Sequence, residues 1–266
     1  MKHGLAICPV VPLRAAASER SEMTSQLLWG ETFCAAEQAG GWLRVCADLD
    51  RYEGWVSALM VRLPDEDAWA REARLPYRLC TDALCRAVSE QTGQGVYLPQ
   101  GSVLYRYGEA TRTFSLAGNS YRLERAPRRL PADRRAAAIA AATQLLNAPY
   151  LWGGRTAMGV DCSGLTQLAY RTAGVALPRD AAQQAQAGAP VSLADGAQPA
   201  DLAFFGGDEG KITHVGMLLG EGKILHASGC VRIDSIDSHG IFSASLNRYT
   251  HTLRGCRRID CSELSA

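Results

Sequence analysis

The sequence predicts an α+β protein, and three observations carry that expectation. Short β-branched and aromatic runs punctuated by glycine fill residues 5–63. An alanine-rich helical pattern opens at Asp133, and apolar strand-like runs close the chain from Asp201 onward. Helices followed by an antiparallel sheet make an α+β domain.

The first runs are AICPVVPLR, QLLWGETFCAAEQ, GWLRVCADL and YEGWVSALMVRL, with turns expected at Gly30, Gly40-Gly41 and Gly54. Such side chains suit a pleated surface, so residues 1–64 are expected to form a small barrel with Trp29, Trp42 and Trp55 in its core. DEDAWAREARL, residues 65–75, is charged and reads as a helical connector. LCRAVSE, GVYLPQGSVLYRYG and TFSLAGNSYRLE then give a second, more degenerate barrel, completing a domain at 65–127. The two prolines of RAPRRLPAD mark the next boundary, and residues 128–266 form the third domain.

In that domain DRRAAAIAAATQLLN starts with Asp133 as N-cap and is rich in alanine, with Pro149 as its stop. A second helix fits residues 162–173, with Leu165, Leu168, Ala169 and Ala173 on one face and Gly174 ending it. DLAFFG, THVGMLLGEGKILHASG, VRIDSI and HTLRGCRRI supply the strands.

Composition excludes several classes of function. The chain has 266 residues with 28 basic against 27 acidic side chains, so no nucleic-acid partner is expected. Arg128-Arg129 and Arg134-Arg135, the densest basic patch, read as a solvated linker. No apolar run approaches the ~20 residues of a membrane span. The start lacks a signal-peptide pattern, which points to the cytosol unless a leader has been removed. Nine cysteines occur without a Cys-x-x-Cys pair or a histidine at zinc-site spacing. They read as buried apolar residues in a reducing compartment, with no metal or cofactor implied. A monomer is expected.

One cysteine stands apart. Cys162 follows the glycines 153, 154 and 159 and opens a helix, whose free N–H groups should lower its pKa and make a nucleophile. A general base must accompany it. His214 in ITHVGMLLG and His226 in KILHASG flank a hairpin turn at Gly220-Glu221-Gly222. A three-residue loop places both histidines on one sheet face as diagonal neighbours; a two-residue loop places them on opposite faces. Asp201 reads as structural.

The order PYLWGG, DCSGL, PRDAAQQ, PADLAFFG, THVGMLLG and ILHASG, over roughly residues 130–260, resembles the NlpC/P60 family of papain-like cysteine peptidases. The GWLRV and EGWV runs upstream resemble bacterial SH3-like domains. The family resemblance implies Cys162 as nucleophile, His214 as base, His226 as the residue orienting it, and Tyr150 beside the nucleophile. It also implies that the Cys162 N–H helps bind the oxyanion. The three-domain arrangement is similar to γ-D-glutamyl-L-diamino acid endopeptidases of the dipeptidyl-peptidase VI type. These act on murein tri- or tetrapeptides bearing a free N-terminal L-alanine. That similarity implies Asp161, Ser163 and Asp180 in the site, with Tyr52 and Glu22 as walls near the substrate amine and Glu31 as the rival of Glu22. Action on intact peptidoglycan, or wall-fragment binding without catalysis, are the alternatives. Ala181 and Ala200 stand where relatives carry serine and glycine.

Overall fold

Alternate residues of the strand Val10–Arg14 are buried, and the same period of two recurs through a seven-stranded antiparallel sheet between Lys2 and Arg62. Val11, Leu13, Phe33, Val45 and Val56 form its core. A computed structural model describes residues 2–72, 75–207 and 209–261. A second, six-stranded antiparallel sheet lies between Tyr77 and Leu123. Its core of Cys80, Cys85, Leu98, Leu104, Phe114 and Leu123 also takes in Leu5 and Trp29 from the first segment. The Trp29 carbonyl accepts the Val103 N–H at 2.8 Å, and the Tyr105 hydroxyl donates to the Gly30 carbonyl at 2.8 Å. The two barrels therefore share a tryptophan-centred core and form one unit up to Arg129.

Trp42 and Trp55 depart from the expected core placement and are half-buried. On the strand Trp42–Ala47, Leu43 and Val45 point inward, which turns Trp42 and Arg44 outward, and Trp55 pairs with Arg44. The connector helix runs Glu66–Glu72; residues 73 and 74 of the expected connector lie outside the described residues.

The second unit begins at Leu130. Helix α1 (Arg134–Thr143) is capped by Asp133, whose side chain accepts the Ala136 N–H at 2.8 Å. It ends before Pro149 because Leu145 and Leu146 turn back onto the carbonyls three residues earlier. Helix α2 (Cys162–Thr172) is buried except at Arg171, a fuller enclosure than a one-faced pattern implies. Two of its buried polar side chains find partners inside the fold: Thr166 Oγ1 donates to Gln184 Oε1 at 2.7 Å, and Gln167 Nε2 to the Leu177 carbonyl at 3.1 Å. Gly174 follows with φ +81°, ending the helix. Helix α3 (Ala181–Gln184) is a single turn.

Seven antiparallel strands follow: β1 (Ala189–Val191), β2 (Leu202–Gly206), β3 (Ile212–Gly220), β4 (Lys223–Ser228), β5 (Cys230–Ile236), β6 (Gly240–Ser243) and β7 (Arg248–Arg258). They lie in the order β1-β7-β2-β3-β4-β5-β6. The first half of β7 also pairs with β6, while its second half pairs with β2, so the sheet curls into a ring. Helix α2 packs on β3 and β4. Asp201, fully buried, is bonded by Arg135 at 2.7 Å and Arg258 at 2.8 Å, tying α1 to β7. These pairs give Asp201 the structural role expected of it. The architecture is α+β. Among the described residues, no helix is long and apolar enough to cross a membrane.

Candidate active site

The β3–β4 hairpin decides whether the two histidines meet. Its turn holds two residues, Glu221 and Gly222, because Gly220 pairs with Lys223. Both turn residues have positive φ, 51° and 65°, the conformation of a tight two-residue hairpin. The expected three-residue loop is therefore corrected. A bulge at Leu219 restores the parity: Leu218 pairs with Ile224 and Gly216 with His226. His214, two residues before Gly216, thus shares the face of His226. A Cβ on Gly216 would sit 2.7 Å from Ile224 Cδ1 and 3.0 Å from His226 Cβ, so glycine is needed there.

His214 Nε2 lies 2.9 Å from His226 Nδ1. His226 Nε2 lies 3.1 Å from Asp234 Oδ2. Arg232 bonds Asp234 Oδ1 through Nη2 at 3.0 Å. Its Nε is 2.8 Å from Oδ2, an ion-pair contact too bent for a hydrogen bond. His251, on β7, stacks on His214 with centroids 4.1 Å apart and planes 25° from parallel. Burial pushes the pKa of all three imidazoles down, that of His251 to about 4. Asp234 and His251 were not anticipated from the sequence.

Cys162 stands at the first turn of α2, where the backbone N–H groups of Val215 and Ser163 favour its thiolate. The thiol therefore lies beside the residue that follows His214. Its pKa departs from the expected lowering and is pushed up to about 11. Burial contributes most and the Asp161 charge next, against the two N–H groups and Arg179. Tyr150 is close enough for the cysteine charge to raise its hydroxyl, after burial, to about 12.

Asp161 and Ser163, expected in the site, are both engaged by groups of the protein itself. Asp161 caps α2, accepting the Gly164 N–H at 2.7 Å and the Gly153 N–H at 2.8 Å. Its carboxylate also pairs with the buried Arg179, Nη2 to Oδ2 at 2.5 Å and Nη1 to Oδ1 at 3.0 Å. Ser163 Oγ accepts from Arg179 Nη1 at 2.9 Å. A buried carboxylate needs such partners, and meeting that need uses both side chains. Gly164 is required for the same packing: a Cβ would lie 2.3 Å from the Gly154 carbonyl oxygen. Asp180 is the N-cap of α3, with its N–H donating to Gln183 Oε1 at 3.3 Å.

Glu22 is exposed and Tyr52 half-buried, both in the N-terminal unit. Glu31 is buried and accepts the Leu28 N–H at 2.9 Å, a structural use.

Ring nitrogens of His214, His226 and His251 all lie within 4.8 Å of one another, a spacing a metal could bridge. The hydrogen bonds of His226 to His214 and to Asp234 occupy both of its nitrogens, so the arrangement suits proton transfer better than coordination.

Residues 147–254 match the NlpC/P60 family, and residues 13–58 match the bacterial dipeptidyl-peptidase SH3 domain. The chain is 48% identical over 84 residues to a gamma-D-glutamyl-L-lysine dipeptidyl-peptidase of Bacillus subtilis, covering 31% of this chain and 28% of that protein. The chain thus spans under a third of that relative. A Bacillus cereus protein of the same name is 25% identical over 231 residues, 78% of this chain and 68% of its own length. The crystal structure of an NlpC/P60 family protein from Bacillus cereus superposes with TM-score 0.81 at 19% identity, covering 96% of this chain and 99% of that one.

Proposed function

We propose that the protein is a cysteine peptidase of murein peptides, a reading supported by the match of residues 147–254 to the NlpC/P60 family and of residues 13–58 to the bacterial dipeptidyl-peptidase SH3 domain. It cleaves the γ-D-glutamyl–L-diamino acid bond, with lysine or diaminopimelate as the diamino acid, and releases L-Ala-γ-D-Glu. The observation that carries this reading is the cysteine at the tip of a buried helix, beside the backbone of the residue that follows His214, whose imidazole is hydrogen-bonded to a second imidazole.

The resting thiol and His214 are both neutral, given the directions of their pKa shifts. Attack is therefore assisted by general base: His214 Nδ1, the nitrogen not bonded to His226, takes the thiol proton as sulfur adds to the γ-carbonyl. The tetrahedral oxyanion forms at the start of α2, where the Cys162 N–H and the helix dipole favour negative charge. His214 returns the proton to the leaving amine, leaving a thioester. Water, deprotonated by the same nitrogen, hydrolyses the thioester and frees the dipeptide and the thiol.

Selection for a free N-terminal alanine belongs to the same proposal, with a carboxylate or a phenol as partner of the ammonium. Relatives named gamma-D-glutamyl-L-lysine dipeptidyl-peptidase and the match to a dipeptidyl-peptidase SH3 domain support it. A recycling role in the cytosol is also part of the reading, in keeping with nine free thiols.

Mass spectrometry of products from L-Ala-γ-D-Glu-L-Lys and its diaminopimelate analogue, each with and without an N-acetyl group, tests the proposal. Dipeptide should appear from the free amines alone. Equal cleavage of the acetylated peptides would remove the amine-recognition role, and release of peptides from whole sacculi would favour a wall-lytic enzyme instead.

A further inference from the structure

The hydrogen bonds around His214 and His226 have a single consistent proton arrangement, and it starts at a carboxylate. Asp234 Oδ2 faces His226 Nε2 at 3.1 Å. An ion-paired carboxylate only accepts, so His226 carries its hydrogen on Nε2. Burial keeps His226 neutral near pH 7, the Asp234 pairing opposing that shift without cancelling it. Its Nδ1 is then a lone pair, and the His214 Nε2 that lies 2.9 Å away must be the donor. Neutral His214 is left with a bare Nδ1, a nitrogen able to accept a proton.

We propose that Asp234 is a positioning residue: through His226 it fixes His214 in the tautomer protonated on Nε2, the form able to accept the thiol proton on Nδ1. The proposal rests on the peptidase reading for its meaning, though not for its geometry. Without the carboxylate, His226 is free to carry its proton on Nδ1. His214 Nε2 then becomes the acceptor, its own proton moves to Nδ1, and the base is blocked.

The surroundings support this role for the carboxylate. Asp234 is buried, and the guanidinium of Arg232 on the same strand pairs with it. Arg232 is in turn held by Ser245 Oγ at 3.3 Å. From β7, His251 covers one face of His214, and from β2, Phe205 approaches with centroids 5.8 Å apart. His251 Nδ1 is engaged by Thr250 Oγ1 at 2.9 Å, and the charged groups near the thiol, Asp161 and Arg179, are paired with each other. Asp234 is thus the carboxylate that meets the histidine pair.

Nitrogen NMR of the histidine-labelled protein at pH 7 tests the arrangement without any substrate. His214 should show a protonated Nε2 and a bare Nδ1, and His226 a protonated Nε2. The reverse assignment in either ring overturns the proposal. In Asp234→Ala the His214 signals should shift toward the Nδ1-protonated form. The kcat on L-Ala-γ-D-Glu-L-Lys should fall ~10–100-fold, with KM within about twofold. Asp234→Ala with the wild-type tautomer, or with unchanged kcat, also overturns it. Should this peptide prove not to be a substrate, the tautomer and the rate of Cys162 alkylation by iodoacetamide still decide the question. If the peptide is cleaved while the tautomers are reversed, this inference falls and the peptidase reading stands.

Discussion

Removing Arg179 tests how the helix that carries the nucleophile is held. Its guanidinium makes buried contacts to Asp161 Oδ2 at 2.5 Å, to Asp161 Oδ1 at 3.0 Å and to Ser163 Oγ at 2.9 Å. Breaking a buried ion pair from one side costs ~3–5 kcal/mol. Asp161 keeps two backbone donors, Gly153 and Gly164, in Arg179→Met. Because those bonds persist, the loss should lie at the lower end, ~3 kcal/mol, or ~6–12 °C in Tm. The double variant Asp161→Asn, Arg179→Met leaves no buried charge unpaired and should recover much of that loss. Arg179 also lowers the Cys162 pKa, so its removal should push the thiol higher still and slow iodoacetamide alkylation at pH 8. Urea denaturation of the single and double variants, with alkylation rates alongside, is the assay. A single variant that loses less than ~1 kcal/mol, or a double variant no more stable than the single, would refute the reasoning.

Three further outcomes follow from described features. The alkylation rate of Cys162 should climb steadily with pH toward about 11; a plateau through neutrality would show a preformed thiolate instead. Ala200 is buried with φ +72°, a backbone region costly for any side chain, so Ala200→Gly should stabilise by ~0.5–1 kcal/mol despite the entropy of glycine, and a lower Tm would contradict this. His251 titrates at about 4 in the folded chain against 6.5 ordinarily, so the unfolded chain binds protons first as pH falls. Stability is full above ~6.5 and is lost toward ~4. The urea midpoint should drop over that window, and less steeply in His251→Phe; identical slopes would exclude a contribution from His251.

Much of the site was legible because local rules govern it. Asp133 and Asp161 precede their helices as caps, and both accept N–H groups of the first turn. Cys162 therefore had to stand at a helix tip. The rest depended on packing that local patterns do not encode. Strand β5 inverts the usual alternation: Ile233 is 42% exposed while Asp234 is 9% exposed. A carboxylate between Ile233 and Ser235 reads as solvent-facing, so Asp234 gave no sign of its role. His251 lies in a long strand whose position opposite His214 is set by the curl of the sheet. The direction of the Cys162 shift turned on enclosure, since the helix tip favours the thiolate while burial opposes it more strongly. Arg179 adjoins Asp180, and only the fold shows that the arginine turns inward to the helix cap.

The extra residue at Leu219 has a bearing on how this hairpin can vary. Deleting that leucine alone would remove the kink and leave Gly220 opposite Lys223 and Gly216 opposite His226, so both imidazoles would keep their common face on a straighter hairpin. A one-residue change in the length between the two histidines is therefore tolerated when the kink is lost or gained with it, and otherwise turns one ring to the far side. In homologues, the glycine that faces the second histidine across the hairpin is a surer mark of a working pair than the length of the turn.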